Sequence, residues 1–341
     1  MKKYLLVLIS SLQLWNCSSS QQSVAPHNSH IFSLKVQEAL REVVPSVVGV
    51  AALFSYRHEI FNHQLRNGQF VPDSSSPTGF LLSPADKKSS NREQETQKVN
   101  GVGLVLYRDE RRAVILTNAH IFLKPDTINS YYRDKTNRLG QVLQARAIKA
   151  SANFFAIGQS NQFLAAEIIH ADAKLDLALL AAAASPMLGV VFPFEPAYAH
   201  QLDWGDFAYV FGYPREVRQV TSGLVSKISN PGSFVLDVVA RQGYSGGPVF
   251  VVHPEKGLQL VGVVRGVPVN KLSYVAPPAG LSAGQFLVPE DWPTSSAQEI
   301  DLIDYGTTYA ISIEVIGKFL KSSEKLLERQ GIILDAKFFP R

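Results

Sequence analysis

Cysteine is almost absent from this chain: Cys17 is the only one in 341 residues. A single thiol excludes an intramolecular disulfide, so the folded protein must be stabilised by packing rather than by covalent cross-links. The sequence also lacks paired cysteines, a His-Glu-x-x-His pattern and a glycine-rich phosphate loop, the patterns that would indicate a metal or nucleotide site. We therefore expect no metal and no cofactor.

Long runs of one charge are absent as well. The 33 Lys and Arg residues nearly balance the 29 Asp and Glu residues, and the net charge of +4 is not gathered into a basic patch. This distribution argues against a nucleic-acid partner. Hydrophobic residues make up 46% of the chain and charged residues only 18%, so the sequence can form the core of one large folded unit or of two closely packed ones.

The N-terminus has the pattern of a secretion signal. Met1-Lys2-Lys3 precedes an apolar stretch, Tyr4 to Trp15, that is too short to span a bilayer as a mature helix. Cys17 comes directly after it, and residues 1–17 resemble a bacterial lipoprotein signal, in which cleavage exposes the cysteine for lipidation. Residues 18–35 would then be a polar tether. We expect a protein exported from a bacterial cell and anchored to a membrane, in the periplasm or at the cell surface; the alternative is simple signal cleavage beside an isolated cysteine.

The remaining sequence consists mainly of short apolar and β-branched segments bounded by turn residues. Such segments predict β-strands, and their spacing favours two mostly antiparallel β-barrels. The predicted strands are 43–54, 103–107, 112–118, 141–150, 165–170 and 177–181 in the first barrel, and 206–211, 215–229, 233–239, 249–252 and 259–264 in the second. Apolar residues at helical spacing predict two helices, Leu34–Glu42 and Ile313–Gln330, the second ended by Gly331.

Polar and proline-rich segments divide this pattern. The predicted organisation is a folded unit at 36–331, made of a first barrel at 36–190 and a second barrel at 191–331, followed by a C-terminal tail at 332–341. Residues 57–99 and 267–306 are rich in turn-forming and polar residues and are predicted to be long irregular loops.

Gly243-Tyr244-Ser245-Gly246-Gly247-Pro248 is the most informative motif of the chain. Glycines around a serine allow a tight turn in which backbone N–H groups point at one spot beside the hydroxyl, and a Cβ would block that turn or a substrate. This arrangement is typical of the nucleophile loop of an acyl-transfer enzyme. The alternative for Ser245 is an ordinary turn serine.

Two further motifs supply the partners that a serine nucleophile needs. His120 ends a predicted strand in Leu116-Thr117-Asn118-Ala119-His120, and Asp176 leads directly into Leu177–Leu180. The chain order His120, Asp176, Ser245 is that of the chymotrypsin-type triad and differs from the subtilisin and α/β-hydrolase orders. Asp172 is the nearby alternative to Asp176. The other histidines are interpreted as structural: His27, His30, His58, His63, His170, His200 and His253.

With these motifs, several short segments make the chain resemble a trypsin-like serine peptidase of the HtrA-like branch over most of residues 36–330. They are Pro45–Val50, Gly101–Val105, Phe211–Pro214, Thr221–Ser226, Asp237 and Tyr309–Ile313. The resemblance implies two antiparallel six-stranded β-barrels of the chymotrypsin type with a C-terminal helix. HtrA proteins usually carry PDZ domains, for which residues 332–341 are too few.

The resemblance also implies roles for individual residues. His120, Asp176 and Ser245 would be catalytic, the N–H groups of Gly243 and Ser245 would form the oxyanion hole, and protein or peptide substrates would be hydrolysed. Val239, six residues before the nucleophile, would lie at the base of the P1 pocket, with Val263 and Val264 on the strand that forms its wall. Since none of these is acidic, we expect a preference for small or medium apolar P1 side chains.

Two other functions use the same residues. The chain could be a catalytically inactive surface lipoprotein that binds partners through its long loops, because a protease fold does not guarantee activity. It could also be an esterase that uses the same triad.

Overall fold

The computed structural model describes residues 34–83, 94–133, 139–230, 232–253, 256–276 and 296–339. The predicted signal, Cys17 and nearly all of the predicted tether lie outside the described residues. So do the central parts of both predicted long loops.

The first half of the chain forms a closed antiparallel barrel. Its strands are β1 (Val47–Ile60), β4 (Gln94–Arg108), β5 (Arg112–Thr117), β7 (Leu139–Ile157), β8 (Phe163–Asp172) and β9 (Leu177–Ala183). They are ordered β1-β4-β5-β9-β8-β7, and pairing of β7 with β1 closes the ring. The strand β6 (Thr127–Arg133) pairs with the first half of β7, from Leu139 to Ile148. Two short strands, β2 (Leu65–Arg66) and β3 (Gln69–Phe70), form a separate hairpin.

The second half forms another closed six-stranded barrel. Its strands are β10 (Phe207–Gly212), β11 (Gln219–Asn230), β12 (Ser233–Asp237), β13 (Pro248–His253), β14 (Gly257–Gly266) and β17 (Thr308–Ser312). The order around the ring is β10-β11-β12-β17-β14-β13, and every pairing is antiparallel. The predicted fold class, two antiparallel six-stranded barrels of the chymotrypsin type, is therefore confirmed.

Side chains of β1 alternate between two cores. Val48 and Val50 pack inside the first barrel, whereas Val47 and Ala51 join a core between the barrels. Because successive side chains of a strand point to opposite faces, one apolar strand can supply both cores. This is why β1 begins as an unbroken apolar run.

The two long loops contain more regular structure than the sequence predicts. β1 continues to Ile60, β4 begins at Gln94, and β15 (Val269–Ala276) pairs with β16 (Ser296–Ile303) in the second loop. The expectation of irregular segments is wrong for these stretches. β15 and β16 stabilise each other through pairing between segments far apart in sequence, which a local pattern does not reveal.

Two helices flank the barrels near the predicted positions. α1 spans Leu34–Val43, and α2 spans Ile313–Arg329, with Gly331 beyond its end at a φ of +72°. Neither helix in the described ranges is long and apolar enough to cross a membrane.

The described part of the predicted C-terminal tail, residues 332–339, packs against the protein. Ile332 and Phe338 are each only 1% exposed, and Phe338 lies in a short 3-10 helix, Ala336–Phe338. The ring of Phe338 contacts Phe192, a residue of the segment that connects the two barrels. Residues 332–339 therefore help to hold the barrels together.

Candidate active site

His120 lies where the first barrel faces the second. β5 ends at Thr117, whose hydroxyl donates a 2.6 Å hydrogen bond to the carbonyl of Val102 on β4. The chain then turns into a short 3-10 helix, Ala119–Ile121, which carries His120 at the mouth of the barrel. The His120 side chain remains 42% exposed, so part of its ring is accessible from outside the barrel.

Asp176 binds His120 at two points. Its Oδ2 lies 2.9 Å from His120 Nδ1, and its Oδ1 accepts a 2.9 Å hydrogen bond from the His120 backbone N–H. The Asp176 side chain is only 9% exposed. A buried carboxylate on Nδ1 holds the imidazole in the tautomer that leaves Nε2 free to accept a proton.

Asp172, the alternative aspartate, has a different role. Its Oδ1 accepts hydrogen bonds from the N–H groups of Lys174 (2.8 Å) and Leu175 (3.0 Å) and so stabilises the turn between β8 and β9. The backbone hydrogen bond from Leu175 is the main cause that holds the pKa of Asp172 below its ordinary value. The structure thus brings Asp176, not Asp172, to His120.

The Ser245 loop packs directly on the end of β5. The carbonyl of Ser245 accepts a 2.8 Å hydrogen bond from the N–H of Val102. A Cβ on Gly246 would lie 2.5 Å from Thr117 Oγ1 and 3.2 Å from the backbone nitrogen of Asn118. Only glycine allows this approach, which brings Ser245 next to the segment that carries His120.

The predicted oxyanion donors are oriented by a fixed backbone. Gly243 is buried, has a φ of +98°, and accepts a 2.8 Å hydrogen bond at its carbonyl from the N–H of Tyr213. Among the described residues, the N–H groups of Gly243 and Ser245 donate to no protein acceptor. Two neighbouring N–H groups without an acceptor are what an oxyanion hole requires.

The Ser245 side chain is not hydrogen-bonded within the described part of the chain. In particular, no hydrogen bond there joins Ser245 Oγ to His120 Nε2, whereas the His120–Asp176 hydrogen bond is formed. Among the residues that the structure describes, the histidine is therefore oriented by Asp176 alone, without a hydrogen bond to Ser245.

Residues at the end of β10 also pack closely against the nucleophile loop. A Cβ on Gly212 would lie 2.5 Å from the ring of Tyr244, and one on Gly247 would lie 2.0 Å from the carbonyl of Phe211. Burial raises the pKa of the Tyr244 phenol above its ordinary value. The Phe-Gly-Tyr-Pro motif, which begins at the end of β10, therefore packs against the nucleophile loop.

The predicted P1-pocket residues occupy different environments. Val239 is 51% exposed, whereas Val263 and Val264 are fully buried, Val263 in the core between the barrels and Val264 inside the second barrel. Their side chains therefore do not face an open pocket in this structure. The P1 pocket stays a prediction, with Val239 as its one accessible side chain.

Sequence reasoning missed two residues of the site. Asn118 Nδ2 donates a 2.9 Å hydrogen bond to the carbonyl of Asp176, and Arg265 Nε lies 3.7 Å from Asp176 Oδ2. The only signal for Asn118 is its place two residues before His120. Arg265 is the first charged residue after the apolar run of β14, which marks it as leaving the core.

The histidines interpreted as structural have partners of their own where they are described. His58 pairs with Glu95, His200 pairs with Glu314, and His170 stacks on Phe319. Within the described residues there is no cluster of His, Cys, Asp and Glu that could hold a metal ion.

Residues 101–263 match a family model described as a trypsin-like peptidase domain. The matched range includes His120, Asp176 and Ser245. Together with the two-barrel fold, the match supports a trypsin-like serine peptidase, a hydrolase whose substrates are proteins or peptides. The domain family also includes inactive members. No curated protein matches this chain.

Proposed function

We propose that this protein is a serine endopeptidase of the HtrA-like branch that hydrolyses peptide bonds through His120, Asp176 and Ser245. One observation carries the proposal: the buried Asp176 carboxylate accepts from His120 Nδ1 at 2.9 Å, beside a loop whose Gly243 and Ser245 N–H groups have no acceptor among the described residues. Catalytic hydrogen bonds are often long without substrate and tighten in the complex. The unformed Ser245–His120 hydrogen bond is therefore compatible with the proposal.

Acylation needs each of these groups in turn. Ser245 Oγ attacks the carbonyl carbon of the scissile bond while His120 Nε2 takes its proton, and the N–H groups of Gly243 and Ser245 stabilise the oxyanion that forms. Asp176 stabilises the imidazolium. His120 then gives the proton to the leaving nitrogen, the C–N bond breaks, and the acyl group remains on Ser245.

Deacylation repeats the two proton transfers with water as the attacking group and Ser245 as the leaving group. Water enters where the amine has left, His120 takes one of its protons, and the hydroxide attacks the ester carbonyl in the same oxyanion hole. The Ser245–carbonyl bond breaks and Ser245 Oγ regains the proton from His120. The products are a free carboxylate and the unmodified enzyme.

A fluorophosphonate probe tests the nucleophile. We expect covalent labelling of the wild-type protein and of Ser130→Ala, an exposed serine on β6, but not of Ser245→Ala. Folded wild-type protein that takes no label would contradict the enzyme and favour the inactive, partner-binding lipoprotein. Labelling together with ester turnover but no peptide cleavage would favour an esterase.

The half-exposed Val239 supports an apolar P1 preference. In a peptide library that varies only P1, we expect faster cleavage after Val, Ala or Leu than after Arg or Lys. Val239→Asp should shift the preference toward basic residues. Faster cleavage after Arg by the wild-type protein would overturn the P1 proposal but not the peptidase.

The N-terminal sequence supports export and a lipid anchor on Cys17, which would place the catalytic unit at a membrane of a bacterial cell. Metabolic labelling with a fatty-acid analogue compares the wild type with Cys17→Ala. We expect label and membrane association only in the wild type. Equal labelling of both proteins would contradict lipidation of Cys17 and favour the alternative, cleavage of the signal without lipidation.

A further inference from the structure

Arg265 leaves the second barrel at an irregularity of β14. Val264 pairs with Ala310 and Gly266 pairs with Tyr309, so the register shifts at Arg265. A bulge of this kind turns a side chain away from the alternation of its strand. Val263 and Val264 are fully buried, whereas the Arg265 side chain is 56% exposed.

The N–H groups of the Arg265 guanidinium donate no hydrogen bond within the described part of the chain. Its Nε lies 3.7 Å from Asp176 Oδ2, beyond hydrogen-bond distance, and the Asp176 carboxylate is already engaged by His120. Asp176 is the only ion-pair partner of Arg265 among the described residues, and within them Arg265 donates no hydrogen bond. Up to five N–H donors in a planar arrangement therefore remain for a ligand.

Arg265 lines an open cavity of about 440 Å³ beside the proposed triad. Its walls are formed by His120, Asp176, Ser233, Arg265, Val267 and Tyr309, and a Cβ on Gly266 would meet nothing within 4 Å. Val239 is not part of this cavity, which separates it from the predicted P1 pocket. A peptide that presents its carbonyl to Ser245 would extend a neighbouring side chain into this space.

We infer that this cavity is a substrate subsite for an acidic side chain, Asp or Glu, and that Arg265 determines this specificity; the inference rests on the proposed peptidase function. A guanidinium binds a carboxylate through two parallel N–H···O bonds and repels an ammonium group. The Asp176 carboxylate does not cancel this preference, because it is buried and bound to His120. Because Arg265 is half-exposed, solvent weakens its attraction for a carboxylate. We therefore expect kcat/KM to be only about tenfold higher with Glu than with its neutral isostere Gln.

Matched peptides test the inference. Each position from P4 to P2 and from P1′ to P3′ is varied as Glu, Gln or Lys around one scissile bond, and kcat/KM is measured. We expect a Glu-over-Gln ratio of about ten, confined to one or two adjacent positions, and slower cleavage with Lys there. Arg265→Gln should bring the ratio to about one, and Arg265→Lys should retain part of it.

A control variant tests whether net charge alone explains the result, and a binding assay measures the same preference without catalysis. Arg329→Gln, an exposed residue in the last turn of α2, makes the same change in net charge and should leave the ratio unaltered. The same peptides are titrated against Ser245→Ala protein by fluorescence anisotropy, where the Glu preference and its loss in Arg265→Gln should recur.

Two results of the ratio measurement overturn the inference while the peptidase stands: a Glu-over-Gln ratio near one at every position, or a ratio that Arg265→Gln does not change. An equal loss of kcat on all peptides would show that Arg265 acts only through Asp176, and this too contradicts a specificity role. If the wild type takes no fluorophosphonate and cleaves nothing, the proposed function fails, and the anisotropy series still decides whether the cavity selects a carboxylate.

Discussion

Asn118 Nδ2 donates a 2.9 Å hydrogen bond to the backbone carbonyl of Asp176, the residue whose side chain binds His120. Asn118 is fully buried, and Asp176 has a φ of +57°, in the left-handed region that non-glycine residues seldom adopt. Such a conformation costs about 1–3 kcal/mol and persists only where the surroundings hold it. The Asn118 amide is one of the groups that hold it, so Asn118 is a positioning residue for the proposed triad.

We predict that Asn118→Ala lowers kcat by up to about 10²-fold with little change in KM, because a small displacement of Asp176 misorients His120. The buried Asp176 carbonyl also loses its donor, which should reduce the free energy of unfolding by about 1–3 kcal/mol. Peptide hydrolysis and urea unfolding measure the two effects separately.

A double variant distinguishes positioning from general destabilisation. In an Asp176→Asn background, Asn118→Ala should cause little further loss of kcat, since the group that it positions is already changed. If the losses of kcat from Asn118→Ala and Asp176→Asn were fully additive, the positioning role would be contradicted. An Asn118→Ala protein that is less stable but has unchanged kcat would contradict it as well.

The two neighbouring aspartates should respond differently to the same substitution. Asp176→Asn should lower kcat by about 10⁴-fold, because the amide favours the wrong imidazole tautomer. Asp172→Asn should leave kcat unchanged, because Asp172 contacts only the turn that it stabilises. Comparable losses of kcat from both variants would contradict the assignment of Asp176 as the partner of His120.

Asp172→Asn should also have a pH-dependent effect on stability. Backbone hydrogen bonds, first that from Leu175, lower the pKa of Asp172 in the folded protein. The carboxylate therefore stabilises the fold above its unfolded pKa of about 4, and this contribution is lost as the pH falls through the lower, folded pKa. The variant should unfold at a lower temperature than the wild type at neutral pH, with a difference that shrinks in acid. A difference that does not vary with pH would contradict this role.

The strands and the candidate nucleophile could be predicted because each depends on local pattern: apolar segments between turns, and glycines around Ser245. The sequence favoured Asp176 over Asp172 because only Asp176 leads directly into β9, but the contact of Asp176 with His120 depends on their positions in space, which a local pattern does not show. Arg265 was missed because its direction depends on a bulge between β14 and β17. The burial of Val263 and Val264 has a different origin: their side chains point to opposite faces of one strand, and each face is covered by a different core, which a local pattern does not show.

Helix α2 should matter for the stability of both barrels. Phe319 is fully buried and stacks on His170 of β8 with ring centroids 5.3 Å apart, although α2 follows the last strand of the second barrel. We predict that Phe319→Ala lowers the free energy of unfolding by about 3–5 kcal/mol, the usual cost of a large core truncation. Chemical denaturation measures the loss, and active-site titration should show unchanged kcat per folded molecule.

Ile333 provides the matched control for this truncation. It follows α2 closely but is 78% exposed, so Ile333→Ala should change stability by no more than about 0.5 kcal/mol. Equal effects of the two substitutions would mean that α2 does not tie the barrels together.

Gly243→Ala should remove activity through the backbone alone. The new Cβ would lie 2.8 Å from the Cα of Pro214, at a φ of +98°, so the loop must shift and carry the Gly243 N–H away from the oxyanion. Loss of one such donor lowers kcat by about 10²–10³-fold. The expected result is folded protein with low kcat, measured by peptide hydrolysis together with circular dichroism.

Gly205→Ala separates this effect from backbone strain. Gly205 has a similar φ of +85°, but a Cβ there meets nothing within 4 Å. Its substitution should therefore cost only the left-handed strain, about 1–2 kcal/mol of stability, with kcat unchanged. If Gly243→Ala behaves like Gly205→Ala, less stable but fully active, then the Gly243 N–H does not stabilise the transition state and the oxyanion hole must be formed by other donors.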